Sequence, residues 1–133
     1  MKQELKIVLV EDSEADADLL TRCLKKENLA FRLFRVWLKE DFIRALDEFH
    51  PDLIISDNSL PVFSGMEAFR IMQNGNKKIP FILMSGTVPE ELLKEYMKEG
   101  IDEYLMKDNL LELNDSIERV MNRKKTAPND RKT

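Results

Sequence analysis

Five short apolar runs of strand length alternate with five longer segments of helical periodicity, and this alternation constrains the fold more than any other feature of the chain. Residues 6–10 (KIVLV) form a nearly unbroken run of β-branched and leucine side chains, as a strand buried on both faces requires. The other strand candidates are residues 31–37, 53–56, 81–85 and 103–106. Between them, residues 14–28 place Leu19, Leu20, Cys23 and Leu24 on one helical face, and residues 39–49 do the same with Phe42, Ile43, Leu46 and Phe49. Residues 65–74 carry Met66, Phe69, Ile71 and Met72, and residues 90–99 carry Leu92, Leu93, Tyr96 and Met97. A last helix is expected from after Asn109 to about Lys125, with Leu113, Ile117 and Val120 facing inward.

Start and stop signals agree with this division. Ser13-x-x-Asp16, Ser64-x-x-Glu67 and Thr87-x-x-Glu90 resemble capping boxes, Pro89 suits a first helical turn, and Gly75 and Gly100 stand where left-handed stops would. Strands alternating with helices require a parallel sheet with right-handed crossovers and helices on both faces. The economical arrangement is a doubly wound α/β sheet of order 2-1-3-4-5, whose site lies beyond the carboxyl ends of the strands where the order reverses.

The chain has 133 residues, enough for one domain with a core that needs no disulfide or structural metal. Residues 1–125 are read as that domain and residues 126–133 as a basic tail without apolar period. A single Cys points to a reducing compartment, with cytoplasm the default. No apolar run approaches the roughly 18 residues a membrane span needs, and the stretch after MKQELK is too short for a signal peptide. The net charge is −4, yet six basic residues against one acid fill residues 119–133.

Taking the residue at or just past each strand end gives Glu11 and Asp12, then Asp57, Ser85 and Lys107. Carboxylates about 4 Å apart repel by roughly 4 kcal/mol per pair at an effective dielectric near 20, so such an edge favours a cation. Hard oxygen ligands suit Mg2+, which takes one or two carboxylates and keeps room for a phosphate oxygen. Asp57, on the middle strand of the three, is the candidate nucleophile toward phosphorus, and attack would leave an acyl phosphate. Lys107 would neutralise charge, Ser85 would donate to a phosphoryl oxygen, and Gly86 leaves room beside it.

The stretches KIVLVEDSEADADLL, PDLIISDNSLPVFSGMEAFR, IPFILMSGT and EGIDEYLMKD, in that order and at these separations, resemble the receiver domain of two-component response regulators over residues 5–123. The resemblance implies a flavodoxin-like fold in which Glu11, Asp12, Asp57 and the backbone carbonyl of Ser59 hold Mg2+. It also implies that Asp57 takes phosphate from a phosphohistidine of a sensor histidine kinase or a histidine phosphotransfer protein. Ser85 and Lys107 would sense the phosphoryl group, Tyr104 would be the aromatic switch, and the fourth helix, fifth strand and fifth helix would meet a downstream protein. The chain would then assist its own phosphorylation and dephosphorylation without being a turnover enzyme. Asp108 stands where the family usually has Pro with a cis peptide, and Asn58 stands where an apolar residue is commoner.

A receiver fold acting purely as an interaction module, without phosphorylation, is the alternative. A nucleotide or flavin site would need a Gly- or Thr-rich loop after the first strand, where the anionic EDSEAD stands. A dehalogenase-like phosphatase would need Asp-x-Asp, which Asp57-Asn58-Ser59 does not supply. Cys23 reads as a small core residue, His50 as turn packing, and Tyr104 as half-buried packing whatever switching role it adds. No motif reads nucleic acid, the short tail leaves no room for an output domain, and homodimerisation stays open.

Overall fold

In the computed structural model, which describes residues 4–27, 29–60, 62–75, 77–86 and 89–126, the apolar runs become five parallel strands. The order along the chain is β1 (Leu5–Val10), α1 (Glu14–Lys26), β2 (Phe31–Val36), α2 (Lys39–Glu48), β3 (Leu53–Asp57) and α3 (Gly65–Asn74). It continues with β4 (Phe81–Ser85), α4 (Glu90–Glu99), β5 (Glu103–Met106), a 3-10 turn (Leu110–Glu112) and α5 (Leu113–Thr126). The sheet order is β2-β1-β3-β4-β5, as the alternation predicts.

Side chains of successive strand residues point to opposite faces, so each strand feeds two cores. Ile7, Leu9, Leu53, Ile55, Ile82 and Met84 meet Leu20, Leu24, Leu113, Ile117 and Val120 of α1 and α5. Val8, Val10, Ile54, Phe81 and Leu83 meet Phe42, Leu46, Met66, Phe69 and Met72 of α2 and α3. Each fully buried Leu, Ile or Phe contributes about 1.5–3 kcal/mol. β3 and β4 are buried along their whole length, whereas the edge strand β2 alternates between half-buried and exposed residues before Val36.

Several inward assignments are corrected. Leu19 is 50% exposed, Ile43 40%, Met97 43% and Leu92 38%. α4 contributes no fully buried side chain among those described; Leu93 and Tyr96 are half-buried, and Tyr96 packs against the α2–α3 core. Cys23 is partly buried against the α1–α5 core, as expected of a packing residue.

Helix ends differ in detail. Ser64 and Glu67 form the reciprocal capping box, but Ser13 makes only its own half, accepting from the N–H of Asp16. Pro89 is the residue before α4 rather than in its first turn, and Thr87 lies outside the described residues. Gly100 ends α4 with φ 120°, whereas Gly75 has φ −85° and ends α3 without a left-handed turn. Thr126, expected to open the tail, is instead the last residue of α5, and residues 127–133 lie outside the described residues. Among those described, no helix is long and apolar enough to cross a membrane.

Candidate functional site

Strand register places the chemistry. Val10 pairs with Ser56, Asp57 with Met84 and Ser85 with Met106, so each of these strands ends within one residue of its neighbour. The residues that follow, Glu11, Asp12 and Lys107, therefore meet Asp57 at the carboxyl edge where β1 and β3 diverge. Backbone bonds continue past the strands: the N–H of Asn58 donates to Met84 O at 2.8 Å and that of Lys107 to Ser85 O at 2.9 Å.

Glu11, Asp57 and Ser85 are buried, and Asp12 is exposed. One carboxylate oxygen from each of Glu11, Asp12 and Asp57 lies within 4.8 Å of the others. Lys107 Nζ reaches into this group, 3.1 Å from Glu11 Oε1 and 3.2 Å from Asp57 Oδ2. Its shortest contact, 2.8 Å, is to Asp16 Oδ2, from the first turn of α1. Burial opposes the charge on Lys107, but Asp16, Glu11 and Asp57 overcome it and hold the ammonium above the ordinary lysine range. Burial pushes the Glu11 carboxyl up, partly offset by the Ser13 N–H that donates to Oε2 at 3.1 Å and by Lys107.

Lys107 therefore contacts three carboxylates, with that of Asp12 beside them. Glu11 Oε1 is buried, in contact with the Lys107 ammonium at 3.1 Å. Three convergent carboxylate oxygens, from Glu11, Asp12 and Asp57, are the donor chemistry that Mg2+ takes, so these residues fit the ion. Ser59 lies beside them, its N–H donating to Asp57 Oδ1 at 3.2 Å. Asn58 Oδ1 is buried without a partner. Among the described residues no peptide bond is cis, which agrees with Asp108 replacing Pro.

Tyr104 is half-buried against the α2–α3 core, and its O–H donates to Met106 Sδ at 3.0 Å. Burial, and then the charge of Asp108, push its hydroxyl pKa up. Sulfur is a weak acceptor, so this hydroxyl is lightly held.

Three contributors escaped the sequence reading. Asp16 stands in the first turn of α1 after the Ser13 N-cap, where an acid reads as a complement to the helix start. Arg35, opposite Leu9 in the register, donates from Nε to Glu11 O at 2.9 Å and from its terminal nitrogen to Asp12 O at 3.0 Å. Gly65 lets α3 close on the end of β3, since a Cβ there would stand 2.6 Å from Leu83 Cδ1 and 2.8 Å from Asp57 O. At Gly86 a Cβ would meet nothing within 4 Å, the room expected beside Ser85.

The chain is similar to the cell cycle response regulator CtrA of Brucella ovis, 29% identical over 103 residues, which are 77% of this chain and 44% of that protein. It thus spans less than half the length of the curated relatives it matches. The signal receiver domain of a protein described as a Luxo repressor from Vibrio parahaemolyticus superposes with a TM-score of 0.85 and 24% identity, covering 98% of this chain and 100% of that one. The phosphorylated cyanobacterial phytochrome response regulator RcpA superposes at 0.73 with 24% identity, covering 88% and 93%. These superpositions show a shared fold. The model of the response regulator receiver domain matches residues 7–118, and the chain belongs to that family of two-component systems.

Proposed function

We propose that the chain is a phosphoacceptor switch in which Asp57 takes a phosphoryl group from the phosphohistidine of a sensor histidine kinase or a histidine phosphotransfer protein. The observation that carries this reading is the Lys107 ammonium held 3.2 Å from Asp57 Oδ2 at an edge shared with Glu11 and Asp12. A carboxylate oxygen of Asp57 attacks phosphorus as the P–N bond to the imidazole breaks, and the electron pair stays on the imidazole nitrogen, which picks up a proton from solvent. Catalysis is positioning and charge neutralisation. Lys107 balances negative charge as it builds on the phosphoryl oxygens, and Ser85, at the end of the neighbouring strand, donates to one of them. Glu11, Asp12, Asp57 and the Ser59 carbonyl would hold Mg2+, which supplies further neutralisation of phosphoryl charge when bound.

The acyl phosphate would draw Lys107 and Ser85 toward it and shift Tyr104, whose hydroxyl has only the Met106 sulfur to leave. Output would pass through the face of α4, β5 and α5, where Leu92 and Met97 stand exposed, to a downstream protein. The chain assists its own phosphorylation and dephosphorylation and is not a turnover enzyme. It works in the cytoplasm, where its phosphodonors are. That a structural relative is described as phosphorylated supports the reading.

The test is incubation with a small-molecule phosphodonor and Mg2+, followed by intact-mass measurement. One added phosphoryl group is expected in the natural chain and none in Asp57→Asn. An unmodified natural chain would leave the fold as an interaction module working without phosphate.

A further inference from the structure

We infer that Arg35, held by Trp37, is a positioning residue for the metal-binding acids. The inference rests on the reading of Glu11, Asp12 and Asp57 as a Mg2+ site. Glu11 is fastened at three points: its N–H donates to Val36 O at 2.9 Å, its carbonyl accepts from Arg35 Nε, and its Oε2 accepts from the Ser13 N–H. Two of these fastenings come from the end of β2. They leave Oε1 to the Lys107 ammonium, 3.1 Å away. The peptide planes of residues 11 and 12 are thereby fixed, and with them the direction in which the Glu11 and Asp12 side chains leave the backbone.

Arg35 suits this task by its shape. Two carbonyls on successive residues ask for two donors in one plane, which a guanidinium supplies and an ammonium does not. Its charge also lies beside a loop that carries two acids and no base. The guanidinium is held from its other side by the indole of Trp37, with its central carbon 4.5 Å from the ring centroid, a cation–π contact. β2 is an edge strand, and Trp37 is 40% exposed. The indole therefore gives the guanidinium a wall that the sheet does not provide at its margin.

Groups that orient metal ligands from behind them cost 10- to 100-fold in affinity when removed. Mg2+ titrations of the full chain by calorimetry, beside Arg35→Met, Arg35→Lys and Trp37→Leu, test the inference. Arg35→Met is expected to weaken Mg2+ about tenfold or more. Arg35→Lys should recover little of that, and Trp37→Leu should weaken it about two- to fivefold. Because Trp37 is the one tryptophan of the sequence and touches Arg35, its emission should change on Mg2+ addition in the natural chain. Circular dichroism checks that each variant is folded at the titration temperature, and Trp37→Leu carries the test should Arg35→Met not be. Mg2+ affinity within twofold of natural in folded Arg35→Met or Trp37→Leu overturns the inference and leaves the metal site standing. Natural affinity in Arg35→Lys with loss in Arg35→Met overturns it too, by showing that charge alone matters. A natural chain that binds no Mg2+ defeats the metal reading and the inference together.

Discussion

Lys107 is the residue on which the site's charge balance turns, because its ammonium is paired with the carboxylates of Glu11, Asp16 and Asp57 together. Glu11 and Asp57 are nearly closed to water, so removing the ammonium leaves buried carboxylates uncompensated. Lys107→Ala should cost about 3 kcal/mol of stability in metal-free buffer. Mg2+ should restore part of that loss by replacing one cation with another. Urea unfolding of both proteins with and without Mg2+ checks this, and a loss that Mg2+ leaves unchanged would separate the lysine from the acids. Asp57, Glu11, Asp12, Ser85 and Lys107 were legible because each follows an apolar strand, and strand ends are the easiest points to count in such a chain. Arg35 was not, because it lies inside the second strand, where a charged residue reads as a solvent-facing position. Its reach to the neighbouring loop depends on β2 lying beside β1, which pairing shows and composition does not.

At the scale of elements, α3 and β3 meet more closely than any side chain would allow. Alanine at a helical position usually improves on glycine by up to about 1 kcal/mol. At Gly65 the added methyl would stand 2.8 Å from the Asp57 carbonyl oxygen, a backbone atom that cannot swing aside. Overpacking of this kind costs about 1–3 kcal/mol, so the clash wins. Gly65→Ala should lower the urea midpoint and slow phosphorylation, whereas Gly86→Ala should do neither by steric conflict; equal midpoints for the two would refute the argument. The helices themselves were legible from their period, but not how much of each stripe the sheet covers. Leu19, Ile43, Leu92 and Met97 repeat at the right spacing and still face water. Gly75 likewise marks a true helix end, yet there the backbone closes on Ile71 and Met72 carbonyls without needing positive φ.

For the molecule as a whole, the basic end now has a partial account. Arg119 and Arg123 of α5 both pair with Glu103 of β5, at 2.9 and 2.7 Å, and Ser116 donates to the same carboxylate at 3.1 Å. The hydrogen bond from Arg119 leads the causes that hold the Glu103 carboxyl below the ordinary glutamate range, against a smaller effect of burial. The folded chain thus binds this proton less tightly than the unfolded one. The contribution to stability is complete above the ordinary glutamate range and disappears as pH falls through the lowered value. Comparing thermal midpoints of the natural chain and Glu103→Gln, the difference should be present at pH 7 and shrink below about pH 4. A difference that does not change with pH would assign the pair no charge-dependent share. The overall architecture was the most legible level, since strand–helix alternation admits few topologies, while this pairing between β5 and α5 was hidden in a stretch that reads only as solvated charge.

β5 has a neighbour on one side alone, β4. At its carboxyl end stands Lys107, fastened to the acids, and at its amino end stands Glu103, gripped by two arginines of α5. Four residues of strand span only about 13 Å. The strand is thus a short tie rod at the free margin of the sheet, with an ammonium at one end and a helix at the other. A small pull on the lysine along the strand axis would reach α5 as a tug on its two arginines, carrying Leu105 and Tyr104 with it against the two cores.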